Sequence, residues 1–427
     1  MNVLRPRPQP TERVNELVGH LFRHKSGEIV ATLVRLFGID RLELVEDVVQ
    51  EALLTGLKNW SFKGIPDNPA GWIVTAARNR ALDIIRRDKL LAAREKEIVS
   101  QLYVSEYDNI SEPGGQSICD DQLALIFACC TPELSHDSQV ALVLKLLAGL
   151  SVTEIAKAFL TSESVIAQRL VRAKRVLRCR SAAIKIPEDK ELEHRLKSVH
   201  QILYLMFNEG YNAHAGDDLV RHDLVGEALR LTNILVNHHL GDTPGSFALM
   251  ALMCLQASRI PARVDQEGNL VLLSRQDRSL WDKKLICDGM HFLDRAAQGD
   301  TLSAFHLEAG IAGCHATAPD YSATDWKQIV FYYDALLERQ RSPVLALNRA
   351  IALSMSGSIE RALAELEQLA DDPKLAGYYL YHASRAELFT RAGQHADARR
   401  AYLTALKLTE SAPEQRFLRA QIAALEH

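Results

Sequence analysis

The chain has 427 residues, of which 47% are hydrophobic and 24% are charged, and its formal net charge is −4. That length and apolar content suffice for several buried cores, so we expect two to four domains. The N-terminal sequence MNVLRPRPQPTERV has no apolar signal core, no apolar run has membrane-spanning length, and the seven cysteines show no CxxC spacing. We therefore expect a soluble, cytoplasmic protein with reduced thiols, no membrane contact and no metal site.

The charges are unevenly spread along the chain. Basic runs lie at residues 78–94 and 169–185, whereas no Lys or Arg occurs between Lys96 and Lys145. Phosphate binding is a local effect, because salt screens charges beyond about 10 Å. The slightly negative net charge therefore does not exclude a nucleic-acid partner.

Residues 13–95 read as a helical domain. Apolar residues recur at helical spacing over 41–59, and the polar edge of that helix carries Glu46, Asp47, Gln50 and Glu51. The loop GIPDNPAG interrupts the pattern, and a second helix over 72–89 is apolar on one face and basic on the other. Trp72 at its start is either ordinary core or a stacking surface for an unpaired base.

The next stretch, residues 101–133, is acidic and contains Pro113, Gly114 and Gly115. We predict a solvated linker here, because those three residues break regular structure.

Residues 151–180 predict a helix-turn-helix. Ser151 and Glu154 form a capping box, and Thr161, Ser162 and Ser164 offer hydroxyl caps for the second helix. That second helix is basic on its outer face and is expected to bury an inner face of Val165, Ile166, Leu170, Ala173 and Leu177. Its N-terminal residues are suited to base edges and its cations to phosphates. The alternative is a solvated amphipathic helix.

A polar, proline-marked hinge at 186–192 leads into long apolar helical patterns over 194–295. Residues 265–269 are compatible with a small hairpin. Glu209 and the trio Gln276, Asp277 and Arg278 are polar residues in apolar company, for which hydrogen-bonded structural roles are favoured over catalysis.

The last third contains an internal repeat at a shift of 36 residues. Five pairs of residues superpose: Ala350 on Ala386, Leu353 on Phe389, Gly357 on Gly393, Ala362 on Ala398, and Leu366 on Tyr402. A glycine at the turn and small residues at the closest helix approach are typical of a tetratricopeptide-like helical hairpin. Such arrays form a concave surface suited to a protein partner, and a plain packing scaffold is the alternative.

Two stretches carry a family resemblance. DVVQEALLTGLKNW followed by NPAGWIVTAARNRALDIIRR resembles the second conserved region of bacterial extracytoplasmic-function sigma factors, and the helix-turn-helix resembles their fourth region. With its extension and terminal repeats, the whole chain resembles the subgroup that carries a C-terminal tetratricopeptide extension. The resemblance implies an all-α fold and two partners, core RNA polymerase and promoter DNA. It also implies an alternative to a solvated linker at 101–133, namely a connector that threads the basic RNA-exit path of the polymerase, where its carboxylates stand in for RNA phosphates.

The resemblance also assigns roles to single positions. Asp47, Gln50 and Glu51 match the helix face that grips the polymerase clamp. The helix that meets the downstream (−10) promoter element is matched by Asn79, Arg80, Asp83, Arg86 and Arg87, with Asn68 near the base that is flipped out. The reader of the upstream (−35) element is matched by Ser162, Ser164, Gln168, Arg169 and Arg172. Trp72 and Lys174, on the same two helices, are further candidate DNA contacts. Leu160 stands where the family's turn often has glycine.

We predict that the chain is divided into five segments. They are region 2 (1–100), an acidic and flexible linker (101–133), region 4 (134–185), a helical extension (187–320) and the tetratricopeptide-like repeats (321–427). We expect a sigma factor without enzyme activity or cofactor, whose extension acts in cis or binds a protein. One alternative is a helix-turn-helix regulator that works without polymerase. Another is an enzyme within 194–320, although no known catalytic motif is present.

Overall fold

The computed structural model describes residues 25–96, 117–159, 161–179, 190–211, 221–265, 271–409 and 412–425. Within these ranges the regular elements are helices, which confirms the predicted all-α class. The chain divides into two compact units. The first comprises Met1–Glu209 with Gly226–Ile234, and the second comprises Gly210–Val225 with Leu235–His427.

Among the described residues, seven helices lie wholly in the first unit, which also takes in most of α8 (Lys190–Tyr211) and the middle of α9 (His222–Asn237). They are α1 (Ser26–Phe37), α2 (Leu42–Lys63), α3 (Pro69–Lys96), α4 (Ser117–Cys129), α5 (His136–Leu146), α6 (Val152–Ala158) and α7 (Glu163–Arg178).

The helices of the second unit follow in chain order. They are α10 (Pro244–Ala257), α11 (Lys283–Ala296), α12 (Ala304–Thr317), α13 (Trp326–Arg339), α14 (Pro343–Met355), α15 (Ile359–Gln368), α16 (Pro373–Ala376), α17 (Tyr379–Arg391), α18 (His395–Leu408) and α19 (Ala412–Ala424).

Helices α2 and α3 follow the predicted apolar period. Val45, Val48 and Leu53 are buried on α2, and Ile73 and Ala77 are buried on α3. Both helices are longer than predicted, because apolar spacing marks only the packed part of a helix. The start of the helical domain predicted over 13–95, residues 13–24, lies outside the described residues.

The predicted acidic linker is wrong at its C-terminal end. Helix α4 begins at Ser117, and its Leu125 and Phe127 are fully buried in a helix that packs against α1. Asp121, which we expected to be solvated, is buried with its carboxylate 2.7 Å from Arg35 of α1. A cation from a distant helix therefore allows this acidic residue to enter the core. Pro113 and the two glycines after it lie outside the described residues.

The two helices predicted over 151–180 are present as α6 and α7. The capping box is confirmed, since the Ser151 N–H donates to the Glu154 carboxylate at 2.7 Å and the Glu154 N–H donates to the Ser151 hydroxyl at 3.1 Å. The predicted hydroxyl cap of α7 is wrong: Ser162 is the N-cap residue, but its hydroxyl meets that of Ser164 at 3.0 Å rather than the backbone. Leu160 lies outside the described residues.

One residue of the predicted inner face of α7 is also misplaced. Ile166, Leu170 and Leu177 are buried as predicted, but the side chain of Val165 is 42% exposed. Val165 lies at the edge of the apolar stripe, where helical spacing does not decide which side is covered.

The repeat predicted for the last third is realised as two helical hairpins, α14–α15 and α17–α18. Gly357 and Gly393 have positive φ angles of 97° and 75° at the two turns. The hydrogen bonds repeat at the same shift, because the Ser358 N–H donates to Leu353 O at 3.0 Å and the Gln394 N–H donates to Phe389 O at 2.8 Å. Most of the superposed apolar positions are buried: Ala350, Ala386, Leu353, Ala362, Ala398, Leu366 and Tyr402.

The polar residues noted in the middle segment have structural contacts. Arg278 donates to the carbonyls of His315 and Ala318, and the Gln276 amide donates to Val271 O at 3.1 Å. The predicted hairpin lies mostly outside the described residues, but the Val271 N–H donates to Arg263 O at 2.8 Å across it.

Candidate nucleic-acid and polymerase interface

The residues matched to polymerase binding form one exposed stripe on α2. Asp47, Gln50 and Glu51 are all exposed, as expected for residues that lie three and four positions apart on a helix. The stripe continues to Leu54, whose side chain is 59% exposed. The sequence analysis missed this leucine, although its position three residues after Glu51 places it on the same face.

The stripe borders the basic helix α3. Arg80 Nε lies 2.8 Å from the Glu51 carboxylate, and both side chains are about half exposed. The hydrogen bond and the negative charge of Glu51 raise the pKa of Arg80. A residue matched to polymerase binding and one matched to DNA binding are therefore in direct contact.

The outer face of α3 presents its predicted DNA contacts to solvent. Asn79, Asp83, Arg86 and Arg87 are exposed. Two of these are cations on adjacent positions, which can follow a phosphate backbone without needing a particular base.

Asn68 and Trp72 shape the start of α3. The Gly71 N–H donates to Asn68 Oδ1 at 2.9 Å, so Asn68 caps the helix, and a Cβ on Gly71 would lie 2.7 Å from the Asn68 amide. Trp72 is half-buried and meets the ring of buried Trp60 edge-on, with ring centroids 5.4 Å apart. Trp72 thus combines a packing role with partial exposure.

An exposed aromatic residue precedes this cap. Phe62, near the end of α2, is 91% exposed, and Ile65 in the following loop is also exposed. The sequence analysis passed over Phe62, because a phenylalanine at the end of an apolar helix is usually core. An exposed aromatic ring can serve as a stacking surface for a base.

The predicted DNA contacts on α7 and at its N-cap differ in accessibility. Ser162, Ser164, Gln168 and Arg172 are exposed. Arg169 is turned inwards, where its guanidinium lies 3.3 Å from the Asp137 carboxylate and over the ring of Phe159.

The C-terminal half of α7 packs on α2. Lys174 Nζ lies 2.7 Å from Glu46, and Arg178 lies 3.4 Å from Glu43. Two cations of α7, the helix predicted to contact DNA, are therefore paired with carboxylates of α2, the helix predicted to bind polymerase.

Within the described residues, no group of three or more His, Cys, Asp or Glu is placed to hold a metal ion. None of the helices described here is long and apolar enough to cross a membrane.

The amino-acid sequence matches two family models and a relative that spans most of the chain. Residues 21–90 match the model of Sigma-70 region 2, and residues 195–297 match a family of unknown function (DUF6596). An uncharacterized protein of Rhizobium meliloti (strain 1021) is 37% identical over 396 residues, which cover 92% of each chain. The chain belongs to the family of that protein.

The region 2 match contains all the residues predicted for the polymerase and for the downstream promoter element. It supports sigma-factor activity in transcription initiation. The predicted contacts of α7 lie outside both family models, so their role in DNA binding stays a prediction.

Proposed function

We propose that this protein is a sigma factor of the extracytoplasmic-function group, which binds core RNA polymerase and directs it to promoters. The observation that carries the proposal is the exposed α2 stripe of Asp47, Gln50, Glu51 and Leu54 within the stretch that matches Sigma-70 region 2.

The stripe has the composition of a protein-binding surface. Leu54 supplies an apolar anchor, and three exposed polar residues precede it on the same face of the helix. Desolvated anchors carry most of the affinity in such interfaces, whereas charges at the rim set orientation and the rate of encounter.

Helix α3 then meets the DNA. Arg86 and Arg87 hold phosphates, and Phe62 and Trp72 offer ring faces to a base that leaves the stack. Unstacking a base costs about a few kcal/mol, and stacking on an aromatic side chain returns about 1–3 kcal/mol per base. Phosphate contacts and the polymerase supply the remainder.

Helix α7 anchors the upstream element through its exposed residues Ser164, Gln168 and Arg172 and through Ser162 at its N-cap. Lys174 and Arg178 reach phosphates only after they leave Glu46 and Glu43. Docking on DNA therefore competes with the packing of α7 on α2.

The C-terminal hairpins act as tetratricopeptide-like repeats that receive a protein partner or control the front half in cis. A cavity of about 430 Å³ lies among α14, α17 and α19, with mainly apolar walls. Met355, Leu380 and Phe417 line it, and Arg391 and Glu387 are also among its lining residues. Such a cavity suits an apolar side chain of a partner.

The test is co-purification of the full-length chain with core RNA polymerase. Leu54→Ser should weaken binding at least tenfold, whereas Phe62→Ser, the matched exposed residue off the stripe, should bind normally. A wild-type chain that binds duplex DNA but never polymerase would favour the polymerase-independent regulator instead.

A further inference from the structure

A second cavity lies in the second unit, between the end of α10 and the segment 271–276. Its volume is about 310 Å³. We call it the arginine pocket, and it is lined by Tyr211, Gln256, Arg259, Arg263, Val271, Leu272, Leu273 and Gln276. Two of these lining residues are cationic, and none of them is Asp or Glu. The pocket lies within the stretch that matches the family of unknown function.

Arg259 is the residue that lacks a counter-charge. Its side chain is half-buried, with its guanidinium 5.7 Å from the ring centroid of Trp281. Among the described residues, its buried Nε has no hydrogen-bond partner and no carboxylate lies within ion-pair distance of its guanidinium. An unpaired, partly buried guanidinium is unfavourable unless an anion reaches it.

The other cations in this cluster are held in place by the protein. Arg263 stacks on the ring of Tyr211 at 3.7 Å from its centroid and donates to the Tyr211 carbonyl. Arg278 lies 4.6 Å from the centroid of the Trp281 ring and donates to the His315 carbonyl. These contacts fix the positive charges close to Arg259.

The cations destabilise one another. Burial lowers the pKa of Arg263 and that of Arg278, and the charge of Arg259 lowers both further. Tyr211 partly offsets the effect on Arg263, and Asp320 partly offsets the effect on Arg278. Burial, Arg259 and Arg278 together lower the pKa of His315 to about 3. The cluster therefore has a surplus of positive charge in a poorly solvated place.

Several buried polar atoms in the cluster also lack a hydrogen-bond partner among the described residues. Arg278 Nη2, Trp281 Nε1 and Gln276 Oε1 have no hydrogen-bond partner among the residues that the structure describes. Buried polar atoms are rarely left unpaired, and a missing ion or ligand is one reason for such a gap.

We propose that the arginine pocket binds a small organic anion through a carboxylate or phosphate group, with Arg259 as the principal contact. Arginine presents a planar fork of donors that matches both groups. The cavity volume lies at the lower end of the range for small-molecule sites, about 300–1,000 Å³. Leu272 and Leu273 supply an apolar wall for the body of the ligand, and they also line the larger cavity of the repeats.

The test is calorimetric titration of the full-length protein at constant ionic strength with inorganic phosphate, phenyl phosphate, succinate and benzoate. We expect saturable binding of at least one probe, at one site per chain. If only the two phosphate probes bind, or only the two carboxylate probes, the result shows which anionic group the pocket accepts. Arg259→Gln should weaken that binding at least tenfold, and Arg259→Lys should weaken it less.

Arg341→Gln is the matched control, because Arg341 is an exposed arginine remote from the lining residues in sequence. It should bind as the wild type does. The proposal is overturned if no probe binds saturably to the wild-type chain, or if Arg259→Gln binds with unchanged affinity. Neither measurement involves polymerase, so a negative result would reject the anion site and leave the proposed sigma-factor activity unaffected.

Discussion

Lys174 Nζ lies 2.7 Å from the Glu46 carboxylate, and this ion pair joins helix α7 to helix α2. The two side chains are only 20% and 14% exposed. Glu46 immediately precedes Asp47, the first residue of the stripe proposed to bind polymerase. The pair therefore connects the two surfaces on which the proposed function depends, and it is less screened by salt than an exposed pair would be.

The double substitution Glu43→Gln and Glu46→Gln should raise the affinity of the chain for duplex DNA. It frees Lys174 and Arg178 for phosphates, so the logarithmic salt dependence should steepen by about 0.9 for each additional phosphate that is neutralised. Fluorescence anisotropy over a range of salt concentrations measures this slope. Glu360→Gln removes an exposed acid from another helix and serves as the control. Equal slopes for the double variant and the wild type would contradict the prediction.

Phe62→Ala should reduce promoter opening while leaving polymerase binding unchanged. Loss of one base-stacking interaction costs about 1–3 kcal/mol, and the ends of that range correspond to roughly 5-fold and 150-fold effects. The measurement is strand opening on a promoter selected in vitro from random sequence by the reconstituted complex. Phe331→Ala removes an exposed phenylalanine from α13 and should have no effect. Full opening by Phe62→Ala would remove Phe62 from the proposed interface.

The hairpin turns give a prediction about stability. Gly393→Ala should lower the free energy of unfolding by about 1–2 kcal/mol, because a side chain at its φ of 75° meets the following carbonyl. Gly357→Ala should behave alike, since its φ is 97°. Gly377→Ala is the control, because that glycine has open space around it and no positive φ. Urea unfolding followed by circular dichroism measures all three, and equal midpoints would show that the turns tolerate a side chain.

Acidification should destabilise the first unit through His200. Burial lowers the pKa of this histidine from 6.5 to about 4. Between pH 6.5 and about pH 4, His200 is protonated in the unfolded chain but not in the folded chain. The free energy of unfolding therefore decreases as the pH falls, by at most about 1.4 kcal/mol per pH unit. Unfolding in urea at several pH values measures the slope.

His200→Gln should flatten that pH dependence, whereas His222→Gln, at an exposed histidine of α9, should leave it unchanged. A slope that survives His200→Gln would assign the acid sensitivity to other groups.

Local rules determined much of this molecule. The apolar period of α2 and α3 predicted which residues are buried, and the capping box at Ser151 predicted the start of α6. The repeat at a shift of 36 residues placed both turn glycines, Gly357 and Gly393. These features depend on neighbours within a few residues, and therefore the amino-acid sequence by itself specifies them.

The candidate site was predicted only in part, for the same reason. Helical spacing placed Asp47, Gln50 and Glu51 on one face. The same spacing places Leu54 on that face, although Leu54 was not predicted to belong to the site. Spacing gave no sign that Phe62 is exposed, because exposure depends on whether another helix covers it.

The tertiary structure alone decided which distant residues meet. It buried Asp121 against Arg35, paired Lys174 with Glu46, and brought Arg259 close to Arg278. Such contacts depend on how helices dock, and many pairings of basic and acidic helices satisfy the same sequence pattern. Docking is selected by the fit of whole surfaces, and that fit is settled only when the chain is folded.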